Sequence, residues 1–164
     1  AEQVIGFVPH ETMVLIFVLN IAAALGAFGF GYVQDRIGHR LALASTLVAW
    51  IAVCLVAATA TSKGQFWVAA TIAGLAMGSS QSAGRAMTGV LAPPRQLAEF
   101  FGLWSFATRL ASIVGPMGYG LITWATGGNQ RIAILATTGL FVAGIALLLP
   151  IDMRRGRTVA LAAS

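Results

Sequence analysis

Five charge-poor runs of helical length dominate this chain, at residues 11–33, 41–61, 66–91, 99–126 and 131–150. Each approaches the ~20 residues with which an α-helix crosses hydrocarbon. Hydrophobic residues make up 58% of the sequence and charged residues only 9%, with a mean hydropathy of +0.85, far from the balance of a soluble domain. Membrane barrels use strands of about ten residues with alternating polarity, whereas these runs are continuously apolar. In lipid a helix satisfies its own backbone, so abundant Gly and Ala point to close helix packing rather than against helix. The expected fold class is an all-α integral membrane protein with five transmembrane helices.

The 164 residues hold one such bundle, since the connectors are too short for a second domain and the segment 151–164 is left as a tail. Cys54 is the single cysteine and falls inside the second run, where it reads as a small packing residue, so no disulfide framework is possible. His10 and His39 sit alone at helix ends and the five acidic residues are scattered, which gives no metal cluster and no nucleophile–base constellation. No cofactor and no metal are expected, and the chain is not read as an enzyme. The net charge of +5 lies at helix ends without interleaved aromatics, so nucleic acid is not an expected partner and the lipid bilayer is.

Positive charge is retained on the cytoplasmic side of membrane proteins. Arg36, Arg40 and Arg95 lie in the connectors after the first and third runs, and Arg154, Arg155 and Arg157 in the tail; the opposite connectors carry only Lys63 and Arg131. The C-terminus is therefore expected in the cytoplasm, and the Arg-rich ends with short connectors favour a bacterial inner (plasma) membrane. Ala1 is not Met, no signal-peptide pattern precedes the first run, and residues 1–7 read as the end of an earlier helix, so the chain is expected to be a fragment. Pro9, Ser62–Gln65, Pro93-Pro94 and Gly127-Gly128-Asn129 punctuate tight helical connections.

Within the runs, Gly74, Gly78, Gln81 and Arg85 recur at helical spacing, as do Ser105, Arg109, Ser112 and Pro116. Those two faces are expected to point into protein or water. The second and fifth runs lack central charges and read as lipid-facing supports. Arg85 and Arg109 each lie on the order of 10 Å inside a span at ~1.5 Å per residue. A charge there costs about 2.5–3.5 kcal/mol on insertion scales, so it faces a cavity, finds a partner, or snorkels to the interface. Three readings stand: binding an anionic group of a substrate, an ion pair with helices outside this chain, and snorkelling. The amides of Asn20 and Gln81 can bind a polar solute or hydrogen-bond between helices. Gly115-Pro116 marks a helix kink, because Pro removes an intrahelical hydrogen bond.

The turn Gly31-Tyr-Val-Gln-Asp35-Arg36-Ile-Gly38-His39-Arg40 resembles the Gly-x-x-x-Asp-Arg-x-Gly-x-Arg signature of the major facilitator superfamily, with His39 where the family more often carries a basic residue. Gly84-Arg85-Ala-Met, Pro93-Pro94, Ala98-Glu99-Phe100-Phe101-Gly102-Leu103 and Gly115-Pro116 are similar to its unknown-function branch, related to fungal vacuolar amino-acid exporters of autophagy. The resemblance implies two six-helix bundles about a central pathway. This chain would supply helices 8 to 12, with residues 1–7 finishing helix 7, and its partner would be a missing N-terminal six-helix bundle. It also implies a gating loop built on Gly31, Asp35, Arg36, Gly38 and Arg40, in which Gly31 permits close approach and Asp35 meets a neighbouring helix terminus in one transport state. The expected function is secondary active transport of a small polar or anionic solute, with amino acids implied by resemblance. The rival expectation is a non-transporting membrane scaffold, or a degenerate half-transporter that needs a partner.

Overall fold

The computed structural model describes residues 8–162 and is helical throughout its regular elements. Its helices are α1 (Pro9–Ile37), α2 (His39–Thr59), α3 (Lys63–Leu91), α4 (Leu97–Ala125), α5 (Gln130–Leu148) and α6 (Met153–Ala162), with a 3-10 turn at Pro94–Gln96 before α4. The expected helix-7 remnant at residues 1–7 lies outside the described residues. The helix α6 was not foreseen in the tail.

Four helical segments are long and apolar enough to cross a membrane: α1, α2, Pro94–Ala125 and α5. The fifth expected span, α3, is not among them: it is 29 residues long but carries Gly74, Gly78, Ser79, Ser80, Gln81, Ser82, Gly84 and Arg85 from its middle onward. Small and polar groups there replace the large apolar side chains that lipid would select. The physical reason lies in the packing. The most extensive helix contact joins α3 to α1, and α3 also packs against α2, α4 and α6.

The α1–α3 contact is made by backbones meeting at small residues. A Cβ on Gly26 would collide with the Leu75 carbonyl oxygen, one on Gly74 with the Leu19 carbonyl oxygen, and one on Gly78 with the Ala23 carbonyl oxygen. Ala22, Ala70 and Ala76 are buried on the same pair of helices. Ser79 Oγ donates to Leu75 O at 2.6 Å within its helix and reaches Gly26 O across the contact at 3.5 Å. In a bilayer, lipid tails are as apolar as the helix, so association depends on such close van der Waals approach and on interhelical polar contacts.

Helix α2 lies between α3 and α5: Ala42, Thr46, Val53, Cys54 and Ala58 are buried, while Leu41, Val48 and Leu55 stay exposed on its remaining face. Trp50 stacks on Phe141 of α5 with ring centroids 5.6 Å apart. Helices α4 and α5 are outermost, and α4 has no buried residue at all. Phe28 is 82% exposed, Leu147 74% and Met117 69%, a surface that suits lipid rather than water.

The two ends of the bundle differ. At one end Lys63 pairs with Glu11 at 2.6 Å, and Arg131 Nη2 donates to the Ala60 carbonyl that closes α2. At the other, the α1–α2 turn, the α3–α4 turn and α6 gather Arg36, Arg40, Arg95, Arg154, Arg155 and Arg157. Their shared location follows from Arg40 Nη1 donating to Ile151 O at 3.2 Å and from Gly156 abutting Leu91. Asp152 Oδ1 accepts from the N–H groups of Arg154 and Arg155 and so caps α6, and those bonds hold its carboxyl below the usual carboxylate range.

Replacing Gly78 with Leu in the complete chain is expected to cost about 2 kcal/mol or more by overpacking, read as a fall of several degrees in detergent melting temperature. Gly31→Ala, where an added Cβ meets nothing within 4 Å, is expected to melt with the wild type.

Candidate functional site: a polar groove on α3

On α3 the stripe Gly74, Gly78, Gln81, Arg85 divides in two. Its first half is buried against α1, while Gln81 and Arg85 are exposed. They line an open groove of about 300 Å³ together with Ala27, Gly78 and Ser82. The glycine that lets α1 approach thus forms the floor from which the polar side chains rise.

Arg85 lies with its guanidinium carbon 5.3 Å from the centroid of the Trp104 ring of α4. A cation over an indole face is attracted by the ring quadrupole, worth about 0.5–1 kcal/mol at an exposed site. Gly84 makes room for that ring, since a Cβ there would sit 3.3 Å from Trp104 Nε1. The contact orients the guanidinium yet leaves its N–H donors free for a carboxylate or phosphate. Trp104 stands one residue before the Ser105 stripe, and its place opposite Gly84 is legible only once the α3–α4 hairpin is formed.

Arg109 does not line this groove. At ~1.5 Å per residue it stands ~18 Å along α4 from Leu97, while Arg85 is ~9 Å from Leu91, so the two are set at different levels of their helices. Ser105, Arg109, Ser112 and Pro116 all fall on exposed surface of α4. Ser112 Oγ donates back to Arg109 O at 2.7 Å. The helix continues unbroken past Pro116, and added Cβ atoms at Gly115, Gly118 and Gly120 would meet nothing within 4 Å. Asn20 is exposed and its Nδ2 donates to Ile16 O at 2.8 Å in its own helix, not to a neighbouring helix.

In the α1–α2 turn, Gly38 adopts φ 82° and ψ 157°, a conformation essentially reserved for glycine, and joins the two helices with no intervening loop. A Cβ added at Gly31 would meet nothing within 4 Å among the described residues. Asp35 and Arg36 are exposed, and neither side chain forms an ion pair or hydrogen bond among the described residues. Sequence reading passed over Gln34, which is 4% exposed. Its Nε2 lies 2.6 Å from His39 Nδ1 and 3.4 Å from the Ala83 carbonyl of α3, tying the turn to the helix that carries the groove. A polar residue buried beside a signature loop carries no periodic signal, because its burial depends on where α3 lies.

The family model described as vacuole effluxer Atg22 like matches residues 1–161. The chain belongs to that family. Its curated relatives include the uncharacterized MFS-type transporter YxiO of Bacillus subtilis, 27% identical over 88% of this chain and 33% of the relative. Autophagy-related protein 22 of Cryptococcus neoformans is 36% identical over 58% of this chain and 17% of its own length. Autophagy-related protein 22 of Yarrowia lipolytica is 29% identical over 87% and 21% respectively. The chain therefore spans a third or less of the length of these relatives. No solved structure matches it.

Because Gln34 is buried and Asp35 is not, Gln34→Leu in the complete chain is expected to lower stability by about 1 kcal/mol or more, and Asp35→Asn to leave the melting temperature near the wild-type value. Equal destabilisation by both would contradict this assignment of the contacts.

Proposed function

We propose that the complete protein is a secondary active transporter that moves a small polar or anionic solute by alternating access, with this chain supplying helices 8 to 12. Membership in a family of transporters supports transport in general. The observation that carries the finer reading is the exposed Gln81–Arg85 groove on α3, a helix of membrane-crossing length that is less apolar than the four candidate spans among the described residues. On this reading α3 is the fifth span: α1 and α2 cover its small-residue faces, and the groove opens toward the first six-helix bundle rather than toward lipid. A guanidinium at that depth is stabilised by a cavity or a partner, and its donors match a carboxylate.

Arg85 then binds the anionic group of the solute, with Gln81 and Ser82 as neutral hydrogen-bonding partners. Ser105, Arg109 and Ser112 form the α4 face toward the opposing bundle, with Arg109 as an ion-pairing residue, and Gly115-Pro116 is the bend of that helix. Asn20 remains a second pathway candidate on α1. Asp35, Arg36 and Arg40 act as the cytoplasmic gating loop, on a turn fixed by Gly38. The Arg-rich end faces the cytoplasm and the C-terminus with it, and the bilayer is read as a bacterial inner membrane. The chemistry is binding and release without covalent steps. Amino acids are the first solutes to test, because the resemblance to vacuolar exporters implies them.

Uptake and efflux of labelled amino acids and other small anions are measured in vesicles holding the complete chain, with Arg85→Ala and Arg109→Ala at matched expression. Saturable flux is expected, reduced about tenfold or more in Arg85→Ala by loss of a charge-assisted hydrogen bond. Flux lost in Arg109→Ala with solute binding retained assigns Arg109 to pairing between bundles. Absence of saturable flux for every solute favours the scaffold reading.

A further inference from the structure

At the Arg-rich end a second cavity, of about 670 Å³, opens between the α1–α2 turn and the segment entering α6. Ile37, His39, Arg40, Leu41, Ile151 and Arg154 are among its lining residues. Arg40 spends one N–H on the Ile151 carbonyl, which fixes its guanidinium against the segment before α6 and leaves its remaining donors available. Arg154 is exposed on the first turn of α6. Asp152 also lines the cavity, but its Oδ1 is occupied by the N–H groups of Arg154 and Arg155. Two arginines and one carboxylate, whose Oδ1 is engaged by its helix, thus line the cavity.

The rim is apolar. Leu41 is 58% exposed and Ile37 42%, both at the ends of membrane-length helices. Four residues separate α5 from α6, so the cavity and α6 are held where a span leaves the hydrocarbon. Helix α6 has the two-faced form of an interfacial helix. Gly156 and Ala160 pack inward, Gly156 against Leu91, while Arg154, Arg155 and Arg157 are exposed beside Val159.

We propose that this cavity binds the phosphate headgroup of an anionic phospholipid, with Arg40 and Arg154 as its ligands and with Ile37 and Leu41 against the first carbons of the acyl chains. The paired guanidinium groups match a phosphodiester, and the apolar rim matches what is attached to it in a lipid and to nothing in a free ion. Arg155 and Arg157 add attraction to the surrounding anionic surface. The site uses none of the groove residues and shares only Arg40 with the gating loop, so Arg154, which has no part in the transport reading, tests it separately.

The test is the melting temperature of the complete protein in detergent, titrated with phosphatidylglycerol, with phosphatidylcholine of the same chains, or with inorganic phosphate. A saturable rise with phosphatidylglycerol alone is expected. Arg154→Gln and Arg40→Gln are expected to raise its half-saturating concentration about fivefold or more by losing a charge-assisted contact. Arg95→Gln, an exposed arginine at the same end that does not line the cavity, keeps the wild-type response. If Arg40→Gln fails to fold, Arg154→Gln decides. An equal rise with phosphatidylcholine, saturation by inorganic phosphate alone, a wild-type response in Arg154→Gln, or an equal loss in Arg95→Gln each overturns the proposal.

Discussion

The rest of the bundle depends on the backbone approach of α1 and α3 at Gly26, Gly74 and Gly78. Carbonyl oxygens of each helix occupy the space where the other would carry a Cβ. In a bilayer the hydrophobic effect does little to bring helices together, so this contact must be won by fit. It constrains composition strongly: the residues that permit it are those that make α3 too weakly apolar to pass as a lipid-facing span. Covered by α1 and α2 on its small faces, α3 can then carry Gln81 and Arg85 where a lipid-exposed helix could not.

The same packing sets the electrostatics. Arg85 is placed two turns beyond the glycine floor at Gly78 and steadied by Trp104, so its charge projects from a rigid base. At the end of the bundle, Gln34 fixes the α1–α2 turn to α3 while Arg40 ties it to the segment before α6. The groove and the charged turn are thus both anchored on α3.

Much of this was legible in the sequence, and the misses share a cause. Length and hydropathy are local quantities, so helix positions followed from them, and Gly38 stood out as a signature position, though its positive φ appears only in the turn it forms. The stripe through Gly74, Gly78, Gln81 and Arg85 was also visible, but its division into a packing half and an exposed half required the path of α1. Helix α2 read as lipid-facing because it lacks charge, and it exposes Leu41, Val48 and Leu55, but which of its residues instead pack on α3 and α5 was not legible, since absence of polarity does not distinguish lipid from protein as a neighbour. Gly31 and Gly26 look alike in sequence, and only Gly26 meets a neighbouring backbone. Gln34 and Trp104 owe their roles to contacts with α3, tens of residues away, and α6 is too short and too polar for a hydropathy reading to register.

The central claim is that one side of α3 is sealed by protein and the other open to water. It is tested most directly by single cysteines at Ala76, Gln81, Ser82, Ala83 and Arg85 in a Cys54→Ser background of the complete protein, challenged in native membranes with a membrane-impermeant thiol reagent. The account predicts labelling at 81, 82 and 85 and protection at 76 and 83. Protection at 81 and 85, or reaction there only with a lipid-soluble reagent, would contradict it.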